Sequence, residues 1–274
     1  RYLATGSVDT TLKVIDTDRI KSPNEKNSIE EKPVVRTLYD HYEIINDLAF
    51  HPNGLVLASC SNDRSIKLFD LTVAQGKRSF RYIYDNMPVN AISFHPSGDF
   101  LAAATEAPEL RIYDSRTFQC FIPPSVKGDD RVAVDVASSG VNHGHTKGLL
   151  QARYSHDGSM IATSSYDGTV RLWDGVSGEC VRTIPNAHSG TPVNSVCFSR
   201  NRKYVLTGGK DSLVKLWEVG SGNMVHEFRG CTRKVGGSVS TTTTAAVIAA
   251  ANVQIVLLTL SGQTAMPSSH MMKH

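Results

Sequence analysis

Histidine, a hydroxyl residue, aspartate and an aromatic recur together along this chain, and that set of types can do two different things. A His that takes a proton from a Ser or Thr, steered by an Asp, activates a nucleophile. The same His can instead be a buried clamp, because a neutral imidazole donates at one nitrogen and accepts at the other. Three sets stand out: His41, Ser59, Asp63 and Phe69; His145, Thr163, Asp167 and Trp173; His188, Thr207, Asp211 and Trp217. In each, the Asp follows the hydroxyl residue by four positions and the aromatic follows the Asp by six. The His precedes the hydroxyl by eighteen, eighteen and nineteen positions. A nucleophile is needed once, whereas a structural clamp is needed once per unit. Repetition therefore predicts clamps.

Other chemistry is thinly represented. Gly175-Val176-Ser177-Gly178 is one glycine short of a nucleophile elbow. Gly208-Gly209-Lys210 lacks the rest of a phosphate loop. His143 and His145 with Asp129 and Asp130 could suggest a metal site, but His145 already belongs to a set and the others lie in a polar stretch. No catalytic residue, cofactor site or metal site is expected. The five cysteines, Cys60, Cys120, Cys180, Cys197 and Cys231, are far apart and form no CxxC pair. Four sit in or beside apolar runs, which predicts buried thiols rather than disulfides or zinc ligands.

The elements that must position these residues are also repeated. An octapeptide reads DTTLKVID at 9–16, DRSIKLFD at 63–70, DGTVRLWD at 167–174 and DSLVKLWE at 211–218, with a weaker copy, APELRIYD, at 107–114. Its final acids are spaced by 54, 44, 60 and 44 residues. A short apolar strand precedes each copy, and the octapeptide alternates as a strand does. Further upstream lie strands ending in turns, INDLAFHPNG at 45–54, NAISFHPSG at 90–98 and QARYSHDG at 151–158. His51, His95 and His156 read there as turn residues.

Spacing and residue sets together resemble the WD40 family, whose blades run to roughly 40–45 residues. The resemblance implies an all-β WD40 β-propeller, with about five blades present of an expected seven over residues 1–230. In that family the His, hydroxyl, Asp and Trp of a blade form a buried tetrad. Thr5 and Asp9 carry half of one for the first blade, with Ile15 at the aromatic place. The middle blade departs, with Ala103 and Ala107 for the hydroxyl and the Asp, and Tyr113 for Trp. It is expected to be held by packing alone. Charged residues at 16–32 and the Pro-Pro stretch within 121–142 read as surface insertions between blades.

The net charge of +3 and scattered basic groups, such as Lys77, Arg78 and Arg81 or Arg200, Arg202 and Lys203, do not by themselves argue for nucleic acid. The only long apolar run, Ala245 to Leu260, is interrupted by Asn252 and Gln254 and is short of a membrane span. A soluble, intracellular chain is expected. Residues 231–274 carry no blade motif and no aromatic, and read as a divergent tail outside the propeller, non-native or disordered. With an open ring and the β-prone run Val253–Leu260, the chain alone is expected to aggregate.

A narrower resemblance rests on RTLYDH at 36–41, LAFHP at 48–52, KRSFRYI at 77–83, SFHPSGDF at 93–100, RTFQCF at 116–121, and LWDGVSGEC with the following AHSG. These stretches are similar to the WD-repeat subunits of cleavage stimulation factor. The resemblance implies a non-catalytic nuclear scaffold of pre-mRNA 3′-end cleavage and polyadenylation. Its partners would be the factor's other subunits and the polyadenylation machinery. It would touch RNA only indirectly, with no membrane and no small-molecule substrate. The alternative is a WD40 scaffold of another complex, such as a ubiquitin-ligase substrate receptor.

Overall fold

In a computed structural model the described residues are 2–20, 34–73, 76–122 and 144–229. Nineteen strands among them form five antiparallel sheets. Blade I holds β1 (Tyr2–Gly6), β2 (Thr11–Asp16) and β3 (Val34–Tyr39). Blade II holds β4 (Ile45–Phe50), β5 (Val56–Ser61), β6 (Ser65–Asp70) and β7 (Arg81–Tyr84). Blade III holds β8 (Val89–Phe94), β9 (Phe100–Thr105), β10 (Arg111–Asp114) and β11 (Cys120–Phe121). Blade IV holds β12 (Leu149–Tyr154), β13 (Met160–Ser165), β14 (Val170–Asp174) and β15 (Cys180–Ile184). Blade V holds β16 (Val193–Phe198), β17 (Tyr204–Gly209), β18 (Val214–Glu218) and β19 (Met224–Phe228). Each sheet is a meander in chain order, with the first strand innermost in blades II to V.

The repeated octapeptide supplies the third strand of each four-stranded blade, and the apolar run before it the second. Apolar residues on both faces explain why these middle strands pass between two neighbours. Leu57 and Phe69 pack toward blade I with Leu12 and Leu38, while Ile66 and Leu68 of the same blade pack toward blade III with Ile92 and Leu101. The III–IV seam is lined by Ala91, Ala102, Ile161 and Trp173, and the IV–V seam by Leu172, Val196, Val205 and Trp217. A sheet buried on both faces by its neighbours is the layer logic of a propeller.

Each inner strand carries the same irregularity, a bulge at Ile45/Asp47, Val89/Ala91, Leu149/Gln151 and Val193/Ser195. A bulge sharpens twist and re-aims side chains. In blades II and III the residue at the bulge, Asn46 and Asn90, donates to a carbonyl of the next blade.

The insertion at 16–32 begins with a helical turn, Thr17–Ile20, rather than irregular chain. Its remainder, and most of 121–142, lie outside the described residues, as does the tail at 231–274. No helix among the described residues is long and apolar enough to cross a membrane.

Candidate functional site

The structure brings together each of the three residue sets. In blade IV, His145 Nδ1 lies 3.0 Å from Asp167 Oδ2, its Nε2 lies 2.7 Å from Thr163 Oγ1, and Trp173 Nε1 donates to that hydroxyl at 2.8 Å. In blade V, His188 Nδ1 is 2.9 Å from Asp211 Oδ1, Nε2 is 2.8 Å from Thr207 Oγ1, and Trp217 Nε1 donates to Thr207 at 2.9 Å. An ionised carboxylate only accepts, so the imidazole proton sits on Nδ1, and Nε2 accepts from the hydroxyl. The bonds then run one way, from indole to hydroxyl to imidazole to carboxylate. Blade II repeats the inner part, with His41 2.7 Å from Asp63 and 2.6 Å from Ser59. Phe69 is buried there but has no N–H to give.

The aspartate does more than hold the histidine. Asp63 accepts the amide of Ser65 at 3.0 Å and that of Tyr42 at 3.1 Å; Asp167 accepts those of Thr169 at 2.8 Å and Thr146 at 3.0 Å. One carboxylate thus closes the turn between the blade's middle strands and pins the loop entering the blade. Burial alone would raise the Asp63 and Asp167 carboxyls. Hydrogen bonds from His41 and Ser65, and from His145 and Thr169, outweigh it and hold both far below the usual range. Burial pushes the His145 and His188 imidazoles down against the pull of their aspartates. In blade I, Thr5 and Asp9 are exposed, and Asp9 caps its own turn through Thr11.

Two further devices were not expected from the sequence. Lys67, buried in β6, donates to the carbonyl of Asp40, just before His41. Lys215 donates to the carbonyl of Ala187, just before His188, at 3.0 Å. A basic residue falls four positions after the turn residue in all five octapeptides (Lys13, Lys67, Arg111, Arg171, Lys215), and that recurrence was the available signal.

The second corrects the expectation for the middle blade. Blade III is not held by packing alone. Asp85, in the loop where the other blades place histidine, accepts from Tyr113 Oη at 2.5 Å and from Arg111 Nη1 at 2.7 Å. Tyr113 fills the Trp place and is buried. Desolvation and the Asp85 carboxylate push its phenol well above the ordinary range. Ala103 leaves no hydroxyl in between, and the longer phenol reaches the acid directly.

His51 and His95 also exceed a turn role. His51 Nε2 donates to Gly98 O of the next blade at 3.1 Å, and His95 packs on Gly158 and edge-on to Tyr154. Both glycines have positive φ, and a Cβ on either would strike the histidine. His156 is exposed, and its neighbour Asp157 instead pairs with Arg202 of blade V at 2.7 Å. Cys60 and Cys180 are buried, Cys197 is half-buried and Cys120 is exposed, so the buried-thiol expectation fails at Cys120. His143, Asp129 and Asp130 lie outside the described residues, among which no cluster of three metal-ligating side chains occurs.

What the clusters share is placement. Each is enclosed within its own blade, on a framework of repeated sheets. Over residues 43–254 the sequence matches the family model of the Nucleolar protein 10-like, N-terminal domain, a β-propeller. The chain belongs to this family of WD-repeat β-propellers. It is 39% identical over 209 residues to Cleavage stimulation factor subunit 50 of Arabidopsis thaliana, a stretch covering 76% of this chain and 45% of that protein. It is 28% identical to Nuclear distribution protein PAC1-2 of Uncinocarpus reesii, covering 72% of this chain and 40% of that one. Against COMPASS component SWD3 of Saccharomyces cerevisiae the identity is 24%, covering 73% and 60%. The chain spans less than two thirds of the length of each of these relatives. The crystal structure of the Cps50 (Swd1) β-propeller domain of Myceliophteria thermophila superposes with a TM-score of 0.63 at 18% identity. It covers 84% of this chain and 68% of that one, and it shows the fold.

Proposed function

We propose that this propeller is a non-catalytic protein-interaction scaffold of pre-mRNA 3′-end cleavage and polyadenylation, working in the nucleus. The observation that carries the reading is the 39% identity to a cleavage stimulation factor subunit, well above the 28% and 24% to scaffolds named for other assemblies. The placement of the polar clusters supports it. Histidines and aspartates that could do acid–base chemistry are spent inside separate blades, where they bond to one another and do not converge on one cleft. Partners are the other cleavage stimulation factor subunits and the polyadenylation machinery, with RNA reached through them.

Affinity purification of the tagged chain from nuclear extract tests this. Recovery of cleavage and polyadenylation factors is expected. Recovery of cullin-type adaptors, or of histone-methylation subunits, in their place assigns the scaffold to a different complex.

A further inference from the structure

We propose that the outer strand of blade II, β7, with the segment leading into it, is a docking edge for an acidic, extended peptide segment of a partner protein. The proposal rests on the scaffold reading above and supplies a surface for it. Among the described residues, β7 pairs only with β6, and the amide of Phe80 extends that pairing to Leu68 O at 2.9 Å. Among the described residues, the main-chain groups of β7 that face away from β6 are therefore open to one more strand, whereas in the segment before it Lys77 O accepts the Tyr39 amide at 2.9 Å and the Ser79 amide donates to Asp40.

Its side chains are unusual for such an edge. The segment reads Lys77-Arg78-Ser79-Phe80-Arg81-Tyr82-Ile83-Tyr84. Strand alternation puts Phe80, Tyr82 and Tyr84 on one face and Ile83 on the other. Ile83 is buried in the seam with blade III, whereas the three aromatics are 53%, 61% and 64% exposed. Large aromatics left in water along one strand face form an apolar ladder that nothing in its own blade uses.

The charge around the ladder selects the partner. Acids bordering this rim are engaged inward. Asp40 accepts from the Ser79 amide and hydroxyl and lies 3.8 Å from Lys67 Nζ; Asp85 accepts from Arg111 and Tyr113. Lys77 and Arg78 are exposed at the start of the ladder, and Arg81 lies over the Phe118 ring at 5.1 Å. The charge presented outward is positive, so it complements carboxylates. A single-stranded nucleic acid fits less well. The Tyr82 and Tyr84 rings meet at 60° with centroids 5.1 Å apart, leaving no parallel slot for a base. A sugar-phosphate backbone also cannot continue the ladder of main-chain bonds.

The test is fluorescence anisotropy on the full chain with a labelled octapeptide of alternating Glu and Val. Controls are its Lys–Val counterpart, a copy N-methylated at alternate residues, and a short oligouridine strand. The Glu–Val peptide should bind about tenfold or more tightly than each control. Tyr82→Ser with Tyr84→Ser, and separately Lys77→Glu with Arg78→Glu, should each weaken it about tenfold at an unchanged unfolding midpoint. Equal binding of the N-methylated copy, or full binding by either variant, would overturn the proposal. So would tighter binding of the uridine strand that the same variants abolish, which assigns the edge to RNA. The two readings fail separately. Variants that lose the peptide yet still recover polyadenylation factors leave the scaffold function standing. A chain that binds the peptide through these residues but recovers none of those factors keeps the edge and loses the assignment.

Discussion

Arg153 of β12 reaches Asp47 of β4 with Nη2 2.9 Å from Oδ2, although they are 106 positions apart in the chain and the whole of blade III lies between them. Both are buried. On the way the guanidinium donates to Ile92 O at 2.8 Å, and the Ile92 amide donates to the same Asp47 oxygen at 3.0 Å. One ion pair thus ties three consecutive inner strands. Related contacts repeat around the centre, with Gln151 Oε1 accepting the Val196 amide at 3.0 Å, and Asn46 and Asn90 each donating to the next blade at 2.8 Å.

A buried pair is costly to break and cheap to replace. Arg153→Met leaves Asp47 charged, dry and short of its cation, which should cost about 3–5 kcal/mol. Desolvation already raises the Asp47 carboxyl, and loss of Arg153 removes the main opposing influence. Combining Arg153→Met with Asp47→Leu should recover much of that loss. Urea denaturation of the two single variants and the double one measures it, and additive costs would show that the pair does not act as a unit.

The tetrads should behave as structure. His145→Ala takes one partner from Asp167 Oδ2, which keeps the Thr146 amide, and leaves the Thr163 hydroxyl proton without its acceptor, at about 1–3 kcal/mol. Trp173→Phe removes the donor to Thr163 and part of a ring packed in the III–IV seam, at about 1–3 kcal/mol, and leaves the histidine's own bonds in place, as in blade II with Phe69. Partner recovery should fall only as far as folding does. A fully folded His145→Ala chain that loses its partners would make this histidine a contact residue.

Most of the blade plan was legible because its signals are local or periodic. The octapeptide, its turn and the spacing to the histidine each act within one sheet, and the sheets form where those signals lie. Contacts between sheets carry no such local signal. Nothing near Arg153 announces Asp47, since their proximity depends on two bulges and the angle between blades. Lys67 and Lys215 are buried along their stems, and their ammonium groups bond a loop carbonyl that nothing local in the sequence marks. Asp85 was invisible for a different reason. It stands eighteen positions before Ala103, the place that histidine holds in blades II and IV, so the spacing is kept while the residue types change and the His, Ser and Asp pattern is lost.

Acid should destabilise the propeller in two stages. Stability rises with pH wherever the unfolded chain holds more protons than the folded one. His145 and His188 are depressed in the folded chain, so below their ordinary value of 6.5 the unfolded state takes up protons that the folded state refuses. Stability therefore declines as pH falls through about 6.5. Asp63 and Asp167, also depressed, add a second decline below their ordinary 3.8, where unfolded carboxylates protonate first. Thermal melts from pH 8 to pH 3 should show both stages, and His145→Ala should flatten the first. A midpoint unchanged between pH 7 and pH 5 would contradict the neutral, buried imidazoles.

The substitute cluster of blade III gives the sharpest contrast, because packing and hydrogen bonding predict opposite rankings there. If packing alone held the blade, Asp85→Ala would be nearly neutral, since it removes a loop side chain and leaves the apolar seam of Leu101, Ala103 and Tyr113 intact. With the observed geometry it removes the acceptor of three donors at once, the Arg111 guanidinium, the Tyr113 phenol and the Met87 amide. The Arg111 guanidinium is mostly buried and would be left without its carboxylate, at about 3–5 kcal/mol. Tyr113→Phe keeps the ring and the Arg111–Asp85 pair and loses one hydrogen bond to a charged acceptor, about 1.5–3 kcal/mol. Arg111→Met should fall between the two, because Asp85 then retains the phenol. Denaturant midpoints of the three variants decide the matter. The expected order of loss is Asp85→Ala, then Arg111→Met, then Tyr113→Phe, and an Asp85→Ala chain as stable as the parent would return blade III to packing alone.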